Sequence, residues 1–404
     1  MSIVVVGIGA DGWDGLTGAA RSAILAADEV IGSERQLAAL PPGTPPRRVL
    51  PSPLAPFLDE LMLTPARNLC ILASGDPMLH GIGWSLARRL GAEAIGTGVL
   101  SVITHPSALA LACARLGWPE SDVTLVSTLT APVSAVARAL QPGRLLLAYV
   151  TGPAGAAAVA TALHERGFGA SELAVLERLG GPGERIQRAT ADTWGKREHD
   201  PLAAVAIRCI ADGETAILPT IPGLPDAAYE HDGALTKRHV RAATLAALMP
   251  TPGALLWDIG AGSGSISIEW LRAEPTARAI AIESRGDRAG RAARNADALG
   301  VPHLRVITGD APQALGDLEA PDAVFIGGGL TDDVLAAAWA ALRQGGRLVA
   351  NAVTAEGEQL LLAAAARHGG ELVKLSVSHL EPLGSFNAWR PALPIVQWSA
   401  EKRR

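Results

Sequence analysis

Asp258-Ile259-Gly260-Ala261-Gly262-Ser263-Gly264, directly after the apolar run Ala254-Leu255-Leu256-Trp257, is the stretch that decides the fold of this chain. An apolar strand running into closely spaced glycines, then into helix-forming sequence, has the form of the first turn of an α/β sheet. Glycine there lets the backbone turn sharply and come close to a ligand. Outward from this turn, strand and helix patterns alternate. The spacing predicts strands over 255–259, 279–282 (closing on Glu283), 304–307, 323–326, 347–351, 371–378 and 394–398, with helices over 265–272, 288–299 and 332–342. Seven strands in that rhythm predict a doubly wound sheet with ligands at the strand C-termini.

A second glycine loop, Gly7-Ile8-Gly9-Ala10-Asp11-Gly12, follows Ile3-Val4-Val5-Val6 at the other end of the chain. Around it the pattern is again α/β but looser, with strands over 3–6, 69–73, 123–127, 145–150 and 172–176. Helices are predicted over 18–27, 83–90, 107–116, 133–140 and 155–166. Between the halves, Leu218-Pro219-Thr220-Ile221-Pro222-Gly223-Leu224-Pro225 is too proline-rich for a helix or a central strand. The expected organisation is a domain over 1–212, a linker over 213–229 and a domain over 230–404. A length of 404 residues also calls for two cores.

Bulk properties narrow the function by exclusion. A net charge of −5 and 4% aromatic residues give no electrostatic or stacking surface for nucleic acid or a membrane. The longest apolar run, 100–118, is interrupted by His105, Pro106 and Arg115, so no membrane span is expected. The N-terminus runs straight into a strand, with no charged leader, and a cytoplasmic protein is expected. Cys70, Cys113 and Cys209 sit in apolar sequence at spacings that do not suggest a metal site, and they read as buried thiols.

The two loops call for different ligands. A dinucleotide fingerprint is Gly-x-Gly-x-x-Gly. The second loop is instead Gly-x-Gly-x-Gly, with Asp258 two residues before its first glycine and Glu283 at the next strand end, 23 residues after Gly260. That variant suits S-adenosylmethionine, which has no pyrophosphate and carries an amino-acid end. Asp258, Gly260, Ala261, Gly262, Ser263 and Gly264 would border its methionine part, Glu283 its ribose, and Asp310 and Ala311 its adenine. The first loop matches the dinucleotide pattern literally through Gly7, Gly9 and Gly12, but Asp14 to Gly18 delays the helix that should cap a pyrophosphate.

At these residues the chain resembles two methyltransferase families. Gly233-Ala234-Leu235-Thr236-Lys237-Arg238-His239-Val240-Arg241, the Asp258–Gly264 loop and Phe325-Ile326-Gly327-Gly328-Gly329 resemble the class I methyltransferases of corrin-ring biosynthesis. These methylate carbon 15 of precorrin-6B and decarboxylate its ring C acetate. The resemblance implies that Thr236 borders the cofactor. His239 stands where that family has Glu, which speaks against an indispensable proton-transfer role there.

The first half resembles the class III tetrapyrrole methylases, in which S-adenosylmethionine lies folded between two lobes. The resemblance rests on Gly7-Ile8-Gly9, on Ala73-Ser74-Gly75-Asp76-Pro77 through Gly83, and on Ser101 to Ser107. It implies cofactor contacts at Gly7, Gly9, Gly75, Asp76, Pro77 and Thr104. The Gly181 to Ile186 segment is similar to the branch that methylates carbon 5. Ser127-Thr128-Leu129-Thr130-Ala131 departs from the family's His-Gly-Arg pattern. Together the halves resemble fused precorrin-6B C5,15-methyltransferases (decarboxylating), which yield precorrin-8. The implied partners are two S-adenosylmethionine molecules and a tetrapyrrole, in a homo-oligomer.

Methyl transfer from a sulfonium is an in-line displacement that needs chiefly alignment. No Ser-His-Asp or Cys-His arrangement is evident. Lys237, Arg238 and Arg241 are candidates to grip the substrate's carboxylates, with solvated surface cations as the alternative. His80 and His105 are candidate proton handlers, with structural histidines as the alternative. A nucleic-acid methyltransferase or a non-catalytic cofactor-binding protein would share the second loop. The first needs a basic, aromatic surface, and the intact loops at Gly75-Asp76-Pro77 and Gly260 to Gly264 weigh against the second.

Overall fold

A computed structural model describes residues 2–63, 67–91 and 93–403. The chain forms two compact units, one from Met1–Thr130 and Pro142–Thr215, the other from Ala131–Gln141 and Ala216–Arg404.

The first unit holds two five-stranded sheets. In the first, β1 (Ser2–Ile8), β2 (Glu29–Gly32), β3 (Arg47–Val49), β4 (Asn68–Ser74) and β5 (Leu100–Ile103) lie in the order β3-β2-β4-β1-β5. All its pairings are parallel. Ile3, Val5, Val6 and Ile8 of β1 are buried, as the near-continuous apolar run of a central parallel strand requires. The register pairs Ile8 with Ser74 and Val6 with Ile103, so the segments after β1, β4 and β5 emerge side by side. Strands β2, β3 and β5 lie outside the predicted set because they are only four, three and four residues long.

The second sheet comprises β6 (Val123–Ser127), β7 (Leu145–Tyr149), β8 (Glu172–Glu177), β9 (Arg185–Thr190) and β10 (Ala203–Arg208), in the order β6-β7-β10-β8-β9. Only β6 and β7 pair in parallel.

The second unit is a seven-stranded doubly wound sheet. Its members are β11 (Leu255–Ile259), β12 (Arg278–Glu283), β13 (Arg305–Thr308), β14 (Ala323–Ile326), β15 (Arg347–Ala352), β16 (Glu371–Leu375) and β19 (Ile395–Glu401), with the hairpin β17 (Ser378–Leu383) and β18 (Phe386–Pro391) outside the sheet. The order is β13-β12-β11-β14-β15-β19-β16, with β19 antiparallel to both neighbours. Strand order reverses beside β11, which places the Gly260–Gly264 loop at the switch-point crevice. Leu255, Trp257 and Ile259 pack into one layer and Leu256 into the other. The predicted strand over 371–378 ends at Leu375, and its last residue opens the hairpin.

Two segments depart from a division at 212. The proline-rich stretch expected as a linker over 213–229 is anchored in the second unit, where Leu224 and Tyr229 are core residues. The predicted helix over 133–140 is a 3₁₀ helix, Val133–Ala139, of the same unit. There Ser134 Oγ donates to Asp297 Oδ1 at 2.6 Å, and Gln141 Nε2 donates to the Leu218 carbonyl at 2.9 Å. Among the described residues no helix is long and apolar enough to cross a membrane. All three cysteines are buried, and burial pushes the Cys70 thiol up to about 12.

Candidate active sites

In the first unit, the strand-end segments enclose a cavity of about 450 Å³ lined by Gly9, Ala10, Gly75, Asp76, His80, Pro106, Ser107 and Tyr149, among others. Its size and mostly apolar lining suit a small organic ligand. The glycines serve their neighbours more than their own torsions. A Cβ on Gly7 would stand 2.2 Å from the Gly75 carbonyl oxygen and 2.7 Å from the His105 nitrogen. One on Gly9 would stand 2.6 Å from the His105 ring. The first two glycines of the literal dinucleotide match are therefore a steric allowance for β4's exit loop and His105, while the third, Gly12, takes φ +62° in its own turn. The following helix starts only at Gly18, capped by Thr17.

His105 lies under that loop with Nε2 3.1 Å from Asp11 Oδ2, and its side chain is 9% exposed. Asp11 Oδ1 is buried with no hydrogen-bond partner among the described residues. His80 is exposed, lines the cavity and takes φ +53°, a left-handed conformation uncommon outside glycine. Asp76 Oδ1 accepts from the Met78 amide at 2.8 Å, which shapes the loop while the residue lines the cavity. Gly9, Gly75, Asp76 and His80 come together on the cavity wall. Gly7 and Pro77 are buried behind it, and Thr104 is exposed and not part of the lining.

Two lining residues escaped the sequence reading. Arg35 donates to Ser74 Oγ at 2.9 Å, and burial followed by the nearby Arg178 guanidinium holds its pKa below the ordinary arginine value. Burial pushes the Tyr149 hydroxyl up to about 12, so it stays a donor across the physiological range. Neither sits in a motif, so only the fold reveals them.

In the second unit Gly260, Gly262 and Gly264 take φ of +70°, +57° and +76°, so here the backbone itself demands glycine. Asp258, 1% exposed beneath the loop, accepts from the Ser267 amide at 3.0 Å and hydroxyl at 2.7 Å through Oδ2. Its Oδ1 and the Ser263 hydroxyl are buried without partners among the described residues. Unpaired buried polar atoms cost free energy unless a ligand satisfies them, so this loop fits a ligand with a polar, cation-bearing end. Burial, with the Glu283 charge adding, pushes the Asp258 carboxyl up to about 6, against the Ser267 bonds.

Glu283 closes β12, 4% exposed, and accepts from the Gly262 amide at 2.8 Å and the Arg285 amide at 3.0 Å. Its remaining lone pairs can accept hydroxyls. Asp310 and Ala311 follow β13, the first exposed and the second half-buried.

Of the three cations proposed to grip substrate, Lys237 and Arg238 are exposed at the start of the helix Arg238–Leu248. Arg241 does not face a substrate. Its side chain is fully buried, with Nε on Glu269 at 2.6 Å, Nη1 on the Thr236 carbonyl at 2.5 Å and on Asp226 at 3.2 Å, and Nη2 on the Leu224 carbonyl. A guanidinium with its donors committed to the interior has none for a substrate. Its spacing from Lys237, one helical turn, hid this, because the turn's direction was not legible. His239 is exposed, its ring 5.9 Å from that of His379 on β17.

Comparison with known proteins adds three findings. Residues 2–194 match the family model described as tetrapyrrole (corrin/porphyrin) methylases, and residues 227–402 match the precorrin methyltransferase domain. A precorrin-6Y C(5,15)-methyltransferase [decarboxylating] of Sinorhizobium sp. is 45% identical over 404 residues, covering 99% of this chain and 96% of that protein. Two shorter proteins of Salmonella typhimurium are also similar. A cobalt-precorrin-6B C(15)-methyltransferase (decarboxylating) is 31% identical over 42% of this chain and 89% of its own length. A cobalt-precorrin-7 C(5)-methyltransferase is 30% identical over 46% of this chain and 88% of its own length.

Proposed function

From a chain that belongs to the family of precorrin-6Y C(5,15)-methyltransferases (decarboxylating), we propose a division of labour between two S-adenosylmethionine sites, one in each unit. The enzyme is a methyltransferase of corrin-ring synthesis. The first unit methylates carbon 5 of the precorrin; the second methylates carbon 15 and removes carbon dioxide from the ring C acetate. One observation carries this reading: each unit matches its own methyltransferase family model, and each has its own glycine loop at a strand end. Relatives named for a single carbon, each aligned with less than half of this chain, support it.

When bound, S-adenosylmethionine supplies an activated methyl group whose transfer is a displacement at carbon. The chain's residues need to hold donor and macrocycle in line and keep water out. In the first unit, the apolar cavity wall and the Tyr149 hydroxyl orient the ligands, and Arg35 is placed to meet a substrate carboxylate. In the second unit, Asp258 Oδ1 and Ser263 Oγ would take the donor's amino-acid end and Glu283 the ribose hydroxyls. Thr236, Asp310 and Ala311 would border the remainder. Arg238 is exposed and could face the substrate's carboxylates, as could Lys237, whose ammonium stands 4.0 Å from Asp226 Oδ2.

We infer a cytoplasmic reaction that involves neither nucleic acid nor a membrane. The hairpin β17–β18 supports self-association, since Phe386 is 77% and Trp389 70% exposed there.

The test keeps the chain whole. Gly262→Val in the second loop and Gly75→Val in the first are each given precorrin substrate and S-adenosylmethionine, and products are weighed by mass spectrometry. Gly262→Val is expected to yield one methyl gain with carbon dioxide retained. Gly75→Val is expected to yield one methyl gain with carbon dioxide lost. Decarboxylation by the Gly262→Val protein overturns the assignment.

A further inference from the structure

The second unit's glycine loop is roofed by a strap. Residues 230–236 cross above it, and a Cβ on Gly262 would lie only 3.3 Å from the Ala234 carbonyl oxygen. What ties strap to loop is one side chain on the helix Gly286–Ala298. Asn295, 3% exposed, accepts the Glu230 amide at 2.8 Å through Oδ1. Through Nδ2 it donates to the Glu230 carbonyl at 3.0 Å and to the Ser263 carbonyl of the glycine loop at 2.9 Å. Its carboxamide thus reads the strap's backbone as a neighbouring strand would, and holds the loop with the donor that remains.

The same helix carries three further grips on the strap. Arg294 donates to Glu230 Oε2 at 2.9 Å. Arg288 donates to Asp232 Oδ2 at 2.8 Å, and Arg291 stands 3.3 Å from the same oxygen. Positions 288, 291 and 295 follow helical spacing, so they share a face and form a rail for the strap. At the strap's far end Arg241 holds the Thr236 carbonyl at 2.5 Å, while Glu269 holds Arg241 and the Tyr229 hydroxyl. The segment is therefore fixed at both ends, and Asn295 hydrogen-bonds both it and the loop that carries Ser263.

We propose that Asn295 is a positioning residue for the second unit's cofactor site, coupling the strap's placement to that of the glycine loop. This rests on the reading of that loop as an S-adenosylmethionine site. Asn295 need not touch the ligand. It sets where Ser263 and Thr236 stand relative to each other, and so the affinity of the site they would border. An aspartate would keep the shape and lose the function, because an oxygen would then face two carbonyl oxygens.

The experiment is calorimetric titration of the full chain with S-adenosylmethionine, in which the first unit's site is an internal control. Wild-type protein is expected to show two sites. Asn295→Asp and Asn295→Ala are each expected to weaken one of them about tenfold and leave the other unchanged. The KM for S-adenosylmethionine in carbon-15 methylation should rise in step, with the carbon-5 reaction unaffected. Asp232→Asn, a partly exposed change that leaves Asn295 in place, is expected to weaken the same site about threefold. Should the Asn295 variants lower the unfolding midpoint of the second unit, Asp232→Asn decides, and an unchanged affinity in it overturns the proposal. Two unchanged sites in both Asn295 variants overturn it directly. A wild-type chain with one site or none overturns the underlying reading instead.

Discussion

The two glycine loops look alike in sequence and differ in what their glycines do. In the second unit Gly260, Gly262 and Gly264 all take positive φ, so the chain itself requires residues without a Cβ. In the first unit Gly7 and Gly9 have ordinary torsions. They are glycines because the Gly75 carbonyl and His105 come so close. A motif's letters therefore state that side chains are absent without stating why. For Gly7 and Gly9 the reason is their neighbours, whereas Gly262 is set by its own torsion and Gly260 by both its torsion and the Gly328 backbone 2.6 Å from where its Cβ would stand.

The sharpest way to break this contrast is a bulky residue at the tighter contact. Gly7→Val would press a branched side chain into the backbone at Gly75 and His105, and since neither can retreat, a loss of about 4 kcal/mol or more is expected. Denaturant unfolding monitored alongside cofactor stoichiometry checks it: the first unit should lose its site while the second keeps its own. A stable Gly7→Val protein with both sites intact would contradict the steric account.

Next in size is the acid beneath the second loop. Asp258 in the folded protein titrates near 6, above its ordinary value of 3.8. Below pH 4 it is protonated in both states and costs nothing. As pH rises from about 4 to about 6 the unfolded chain ionises first, so folding loses about 3 kcal/mol across that window, and the loss persists above it. Asp258→Asn should lack this term. Urea unfolding of both proteins from pH 4 to pH 7 is expected to show the difference in stability shifting in the variant's favour as pH rises, and parallel curves would sink the idea.

The smallest effect belongs to the glycine constrained by its own torsion. Gly262→Ala asks an L-residue to hold φ +57° beside the Ala234 carbonyl, and a cost of about 1–2 kcal/mol is expected in thermal unfolding. A cost equal to that of Gly7→Val would erase the distinction between the loops.

Much of the second unit was legible because its signals are local. Strands such as Leu255–Ile259 and Ala323–Ile326 are short apolar runs, and the acids at Asp258 and Glu283 stand at fixed offsets from the glycines. The hairpin β17–β18 was not, since its strands mix Pro382, Asn387 and Pro391 with exposed apolar residues and show no buried face. Arg241 misled for a related reason. A cation near a motif reads as a ligand grip until the helix is oriented, and here its face points inward to Glu269.

By itself the sequence determined two α/β halves, a methyltransferase resemblance for each, and the positions of both glycine loops, because backbone turns and apolar periodicity are written in neighbouring residues. Tertiary structure alone decided which side chains meet. It brought Asp11 to His105, Asn295 to both Glu230 and Ser263, and residues 131–141 into the second unit. Those partners are tens of residues or more apart in sequence, and no local propensity encodes a distance that only the packing of sheets and helices sets.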